Sequence, residues 1–316
     1  VLYFPYFIFP AKTKRQSGLL PPTFGYSDRN GSDVEIPFFW AISDSTDATF
    51  YQRYLTRRGY MQGLEYRYMT GEQSRGTFML DILSDRRDAK NMSDPDELEL
   101  SPFERTNTTR YWARGRVDHQ LPLDIQGRLD VDVVSDQDYL REFERSGFAF
   151  QARPDLENLW NRPLEEIWSP TRRSALRLSR DGELYSLQAG MEYYQRPESI
   201  PDDPTPQPLG SAVFDLLPRR ILGSPVYAGM RTDFDHVWRE HGTTGYRTSA
   251  SPSISVPFSI GPYLQVEPFS EYTIAHQRYQ SSSGENDTRT RHIHDSGIHF
   301  STAFDRIFRP ESFQAT

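Results

Sequence analysis

The chain has 316 residues, a net charge of −8, a pI near 5.5, 36% apolar residues and a mean hydropathy of −0.71. That balance argues against a large oily core and leaves no basic excess to displace phosphate counterions, which excludes broad nucleic-acid binding. The chain has no cysteine and no run of about 18 apolar residues, so disulfides, cysteine-ligated metals and a transmembrane helix are excluded too.

Aromatic residues nevertheless reach 14%, more than a disordered chain supplies. High polarity with many Tyr and Phe fits a sheet with one wet face and one apolar face. The chain opens at Val1 without a methionine or a charged-then-apolar leader, and Thr316 follows directly on a strand-like segment. It therefore reads as a piece of a longer protein.

Pro5 and Pro10 fall in an extended stretch that reads as a linker, and the basic cluster Lys12, Lys14 and Arg15 follows. From Ser17 to Tyr68 short amphipathic strands carry prolines, among them Pro22 and Pro37. Proline has no N–H to give to a ladder, so these positions mark a weak seam, or else a strand start at Pro22 and a bulge at Pro37.

Period-two patterning then becomes clear. Leu64, Tyr66 and Tyr68 oppose Glu65 and Arg67; Phe78, Leu80 and Ile82 oppose Thr77, Met79 and Asp81; Leu129, Val131 and Val133 oppose Arg128, Asp130 and Asp132. Similar segments near 23–29, 33–41, 46–55, 107–119, 172–181, 183–195, 211–220, 226–238, 246–256, 263–280 and 289–303 bring the expectation to about 14 strands of membrane-spanning length. Within the loop after the 125–133 segment, residues 138–143 predict a helical turn or two. If the sheet encloses a wet lumen, Glu65, Arg67, Asp81, Arg114, Arg116, Asp118, Arg128, Asp130 and Asp132 line it.

Connections sort by parity. One set is uniformly short, at 41–45, 71–75, 121–124, 181–182, 222–225 and 259–262; the other includes the long polar segments 86–106, 136–171 and 196–210. Short turns at one rim and longer loops at the other predict an all-β fold: an antiparallel transmembrane β-barrel with short periplasmic turns and longer extracellular loops. No nucleotide-binding loop, nucleophile elbow or catalytic triad pattern is present, so neither an enzyme nor a cofactor is expected. His292 and His294 share a strand face, with Asp295 and His299 nearby, but no fourth ligand is placed and no metal site is assigned.

Tyr3-Phe4-Pro5-Tyr6, Phe9-Pro10, Lys12, Arg15, Ser17-Gly18, Leu20 and Pro22 are followed by Ile36-Pro37-Phe38-Phe39-Trp40, Asp47-Ala48-Thr49, Arg57-Arg58-Gly59 and Arg67-Tyr68. This succession resembles the LptD family of LPS-assembly proteins. Ser135 with Tyr139-Leu140 and Phe143 is similar to that family's loop after an early barrel strand, and Pro252 to Pro257 with Tyr263 and Val266 to Pro268 is a looser match.

The resemblance implies a periplasmic β-jellyroll ending within residues 1–22 and joined to the N-terminal half, residues 23–316, of a barrel of about 26 strands. It implies an LptE-type lipoprotein plug inside the barrel and an LptA-type periplasmic bridge to the jellyroll. Lipopolysaccharide would pass to the outer leaflet of a Gram-negative outer membrane, without bond chemistry, by a lateral gate. Pro22 and Pro37 would border that gate, and Lys12, Lys14 and Arg15 would meet lipid A phosphates at the junction. The alternatives from the residues alone are a general porin or receptor barrel and a soluble carbohydrate-binding β protein.

Overall fold

The computed structural model describes residues 15–87, 108–143, 160, 162, 165–166, 168–198 and 202–302. Contacts divide the chain into two units, Val1–Leu178 with Met191–Gln207, and Ser179–Gly190 with Pro208–Thr316.

In the first unit the strands are β1 (Gly18–Leu19), β2 (Thr23–Ser27), β3 (Gly31–Ser43), β4 (Thr46–Leu55), β5 (Gly59–Gly71), β6 (Ser74–Asp85), β7 (Thr109–Leu121) and β8 (Ile125–Val134). Each of β3 to β8 pairs antiparallel with the next, and both β1 and β2 lie on β3. The helix α1 (Gln137–Glu142) follows β8. Strands β9 (Arg172–Asp181) and β10 (Tyr185–Gln195) contribute residues to both units. The second unit holds β11 (Gln207–Arg220), β12 (Tyr227–Trp238), β13 (Thr244–Ser255), β14 (Phe258–Ile260), β15 (Leu264–Gln280) and β16 (Asn286–Thr302). There β10 pairs with β11, β12 with β13, and β15 with β13, β14 and β16, all antiparallel.

Strands β1 and β2 are one line broken at residues 20–22, and β13 and β14 are one line broken at 256–257. Counted that way, the described strands form 14 lines, as the alternation predicts. The short connections also hold, for example two residues at 44–45 and at 72–73, and a single 3-10 turn at Pro122–Asp124. Strand starts move by a few residues: β11 opens at Gln207, where the neighbouring prolines mask the alternation.

Period-two alternation sorts the side chains of the first unit. Ile36, Phe38, Trp40 and Ile42 of β3 are exposed on one face, while Glu35 and Pro37 are buried on the other. Register carries the exposed face across the sheet in a row: Trp40 opposite Ala48, Ala48 opposite Tyr66, Tyr66 opposite Phe78, and Phe78 opposite Gly115. Gly115 leaves room for the Phe78 ring, which a Cβ there would approach within 2.6 Å. A second aromatic row, with Tyr54 opposite Tyr60, lies toward the other rim. From Tyr60 to Tyr66 is six residues of β5, about 15 Å of height at a tilt of about 40°, so both rows fit within an apolar band of about 25 Å.

The buried apolar cluster lies on the opposite face, toward the long-loop rim. It gathers Leu55, Met61, Leu83, Trp112 and Val134 from the strands with Tyr139, Leu140 and Phe143 from α1 and its C-cap.

Candidate functional site

The first seam is built by a register shift. Leu19 stands opposite Phe38 and Thr23 opposite Glu35, so Leu20, Pro21 and Pro22 face only Ile36 and Pro37. One surplus residue makes this a β-bulge, and two of its three residues lack an N–H. The Leu20 N–H alone crosses the gap, donating to the Pro37 carbonyl oxygen at 2.9 Å. Among the described residues, the line formed by β1 and β2 pairs only with β3.

Beside this seam the inner face is a lattice of ion pairs. Asp47 accepts from Arg67 Nε at 2.8 Å and also from Arg15, whose guanidinium lies 5.7 Å from the Phe39 ring centroid. Arg53 pairs with Asp33, and the Tyr51 hydroxyl donates to Glu65 at 3.2 Å. Further along, Arg114 approaches Asp81 (3.5 Å), Arg116 approaches Asp130 (3.7 Å) and Arg128 approaches Asp118 (3.8 Å). A cavity of about 250 Å³ opens here, lined by Met79, Trp112, Arg114, Asp132, Trp160 and Arg172 among others. Indole faces beside guanidinium–carboxylate pairs suit a hydroxylated ring, which offers C–H faces and paired hydroxyls to bidentate partners.

At the long-loop rim Arg58 from the β4–β5 turn and Arg110 from β7 are both fully buried. Arg58 Nε donates to Asp85 at 2.9 Å and its Nη2 to Asp85 (2.5 Å) and Glu142 (2.7 Å). Arg110 forks onto Asp136 at 3.0 and 2.6 Å, and its Nη1 donates to Asp85 (3.0 Å) and Glu142 (2.5 Å). Asp136 is in turn the N-cap of α1, accepting from the Tyr139 N–H at 2.8 Å. The network therefore fastens the loop helix to the inner wall, with both guanidiniums within 6 Å of the Phe143 ring centroid, at 5.2 and 5.7 Å.

Burial opposes the charge of Arg58, yet the hydrogen bond to Asp85 and the Glu142 charge outweigh it and raise its pKa above the ordinary value. For Asp136, burial raises the pKa, but Arg110 and the Ser135 hydroxyl hold it below the ordinary carboxylate value. Burial lifts the Tyr139 phenol well above its ordinary value, so it stays protonated.

Residues 1–114 match the family model described as LptD protein, and residues 108–314 match the one described as LPS transport system D. The chain belongs to the LptD family. It is 28% identical over 308 residues to the LPS-assembly protein LptD of Aromatoleum aromaticum, covering 95% of this chain and 34% of that protein. To the LPS-assembly protein LptD of Legionella pneumophila (strain Lens) it is 27% identical, with 95% and 36% covered. A shorter match, 36% identical over 155 residues, joins it to the LPS-assembly protein LptD of Idiomarina loihiensis, with 49% and 18% covered. The chain spans about a third of the length of the first two relatives.

Membership of the LptD family places the chain in the Gram-negative outer membrane. Its all-β, antiparallel strands are those of a partial transmembrane barrel.

Several LptD motif residues acquire physical roles in the structure. Trp40 and Tyr66 belong to one aromatic row, and Asp47 joins Arg15 to Arg67. Arg58, Tyr139, Leu140 and Phe143 meet in the rim cluster. The structure brings Pro22 and Pro37 to the same bulge. Of the basic cluster, Arg15 is engaged by Asp47, while Lys12, Lys14, Pro5 and Pro10 lie outside the described residues. The histidine grouping divides: His292 and His294 face one side of β16, Asp295 and His299 the other. Asp85, Arg110, Asp136 and Glu142, which complete the rim network, were not singled out by sequence reasoning. The only signal was the oddity of charges flanking predicted strands.

Proposed function

We propose that the protein to which this chain belongs inserts lipopolysaccharide into the outer leaflet through a lateral gate, one side of which is the seam holding Pro22 and Pro37. The observation that carries this reading is the surplus residue in the first strand line, where Leu20, Pro21 and Pro22 oppose two residues and one backbone bond crosses the gap. Each missing backbone hydrogen bond removes about 1 kcal/mol of net pairing, so little must break for such a seam to part. The ion-paired inner face and its Trp-lined cavity support passage of the sugars on that side, and the apolar outer face supports the lipid tails remaining in the bilayer.

In this reading residues 1–22 lead from a periplasmic β-jellyroll, fed by an LptA-type bridge, into the barrel of residues 23–316, whose lumen holds an LptE-type plug. Lys12, Lys14 and Arg15 contact lipid A phosphates at the junction, with Arg15 exchanging its Asp47 partner for phosphate. No bond is made or broken in the substrate.

The test is Pro22→Ala with Pro37→Ala in the full-length protein, which restores two backbone donors. Surface labelling of newly made lipopolysaccharide should slow. Delivery at the rate of the unchanged protein, from a correctly inserted variant, would remove the gate from these residues.

A further inference from the structure

Strands β12, β13, β15 and β16 keep one parity across the second unit, even-numbered residues standing opposite even-numbered ones throughout. Their six carboxylates, Asp233, Asp235, Glu267, Glu271, Asp287 and Asp295, all lie at odd positions. The even face has no acid. It is the apolar face, with Phe234, Ile254, Ile274, Ile298 and Phe300 exposed on it. It also carries four of the chain's seven histidines: His236, His276, His292 and His294.

Three of these histidines form a polar ladder along β15 and β16. The Tyr272 hydroxyl lies 2.9 Å from His292 Nδ1, and Ser270 and Ser296 hydroxyls each lie 3.0 Å from His294 Nε2. Thr290 Oγ1 lies 3.1 Å from His276 Nδ1. Each imidazole uses one ring nitrogen in the ladder and leaves the other without a protein partner among the described residues. His292, His294, Ser296 and Tyr272 are exposed.

Height decides what such a ladder meets. A strand rising about 3.3 Å per residue at a tilt of about 40° climbs about 2.5 Å per residue, so an apolar band of about 25 Å takes about ten residues. Counted from the short-turn ends of β15 and β16, at Leu264 and Thr302, ten residues reach Ile274 and His292. His292 thus stands at the outer boundary of the band, His276 and Thr290 above it, and His294 just beneath. Imidazoles and hydroxyls bared to acyl chains would be costly, but at the boundary they meet headgroups. A surface of imidazoles and hydroxyls, each able to donate, with no carboxylate among them is complementary to anions, and Arg278 extends it toward the rim.

We propose that the even face of β15 and β16 is a docking surface for the phosphate groups of the glycolipid in the surface leaflet, held from outside the barrel by His276, His292 and His294. The proposal rests on the outer-membrane placement of the chain and is separate from the gate.

The experiment uses the purified full-length protein in neutral detergent with diphosphoryl lipid A as the probe, and phosphatidylglycerol and phosphatidylcholine as comparators. Replacing all three histidines, as H276A, H292A and H294A together, should weaken lipid A binding at least about tenfold, the effect of losing a single hydrogen bond to a charged phosphate. Glu271→Gln with Asp295→Asn, on the other face, should leave it unchanged. Independently of any variant, lipid A should shield His292 and His294 of the unaltered protein from diethyl pyrocarbonate. Absence of both the weakening and the shielding would overturn the proposal, and an equal loss of phosphatidylglycerol would overturn the assignment to the glycolipid. A chain that fractionates away from the outer membrane would instead sink the placement on which it rests.

Discussion

Replacing Arg110 with methionine tests whether the rim network, and not simply apolar packing, holds α1 to the wall. Two guanidiniums, Arg58 and Arg110, currently face three carboxylates, Asp85, Asp136 and Glu142. The substitution leaves one guanidinium against three acids and removes four hydrogen bonds, two of them to the Asp136 carboxylate that caps α1. Removing one partner of a buried pair costs about 3–5 kcal/mol, because the remaining charges are buried without compensation. If about 3 kcal/mol of that falls on the local opening of α1, amide exchange there should accelerate roughly a hundredfold. The amides to follow in the full-length protein are Tyr139, bonded to Asp136, and Phe143, bonded to the Tyr139 carbonyl oxygen at 3.1 Å. Adding Glu142→Gln to Arg110→Met removes one orphaned charge and should recover part of the protection. Unchanged exchange in Arg110→Met would show that Tyr139, Leu140 and Phe143 hold α1 by packing alone, and would refute the reasoning.

Asp136 sets a pH limit on the same helix. Its folded pKa lies below the unfolded value of 3.8, so its stabilisation is complete above that value and disappears as pH falls through the folded one. Protection of the Tyr139 amide, corrected for intrinsic exchange, should therefore be flat from neutrality to about pH 5 and fall only in stronger acid; a fall near pH 6 would point to another group. Gly59 takes φ +128°, and a Cβ there would sit 2.4 Å from the Ser84 carbonyl oxygen. Gly59→Ala should destabilise the β5–β6 hairpin by about 1–3 kcal/mol, read as a lower midpoint in urea unfolding from lipid. No shift in midpoint would mean that the turn relaxes freely.

The strands were legible because the alternation is local: Phe78, Leu80 and Ile82 against Thr77, Met79 and Asp81 need no tertiary information. The α1 segment was legible as a short helical stretch at 138–143, one residue from Gln137–Glu142, although its cap Asp136 was not singled out. The rim network was not legible in this way. Arg58, Asp85, Arg110, Asp136 and Glu142 are drawn from residues 58 to 142, and each alone resembles a solvated charge beside a turn. Only the pairing of β5 with β6 and β6 with β7 brings Arg58, Asp85 and Arg110 to one rim, and only the return of α1 removes them from water. The histidine ladder was hidden for a related reason. Proximity in sequence grouped His292 and His294 with Asp295 and His299, whereas the sheet separates them by face and joins the first two to Tyr272 and Ser270 of the adjoining strand.

Prolines alone do not define the proposed gate, since the second unit breaks its ladder at prolines too. At Val256-Pro257 two residues oppose two, Pro268 and Glu267, the Val256 N–H still donates to the Pro268 carbonyl oxygen at 3.0 Å, and pairing resumes in register. At Ser251-Pro252 the backbone gap is spanned by Ser251 and Thr273 hydroxyls 2.8 Å apart. Both interruptions lie in a line held on two sides, by β12 and β15. The first line differs in both respects: it has three residues against two, and among the described residues one neighbouring strand. A gap in register can close again by recovering one hydrogen bond, whereas a surplus residue keeps the strands out of step on either side of it. The register shift at an edge, more than the number of prolines, is what sets the first seam apart.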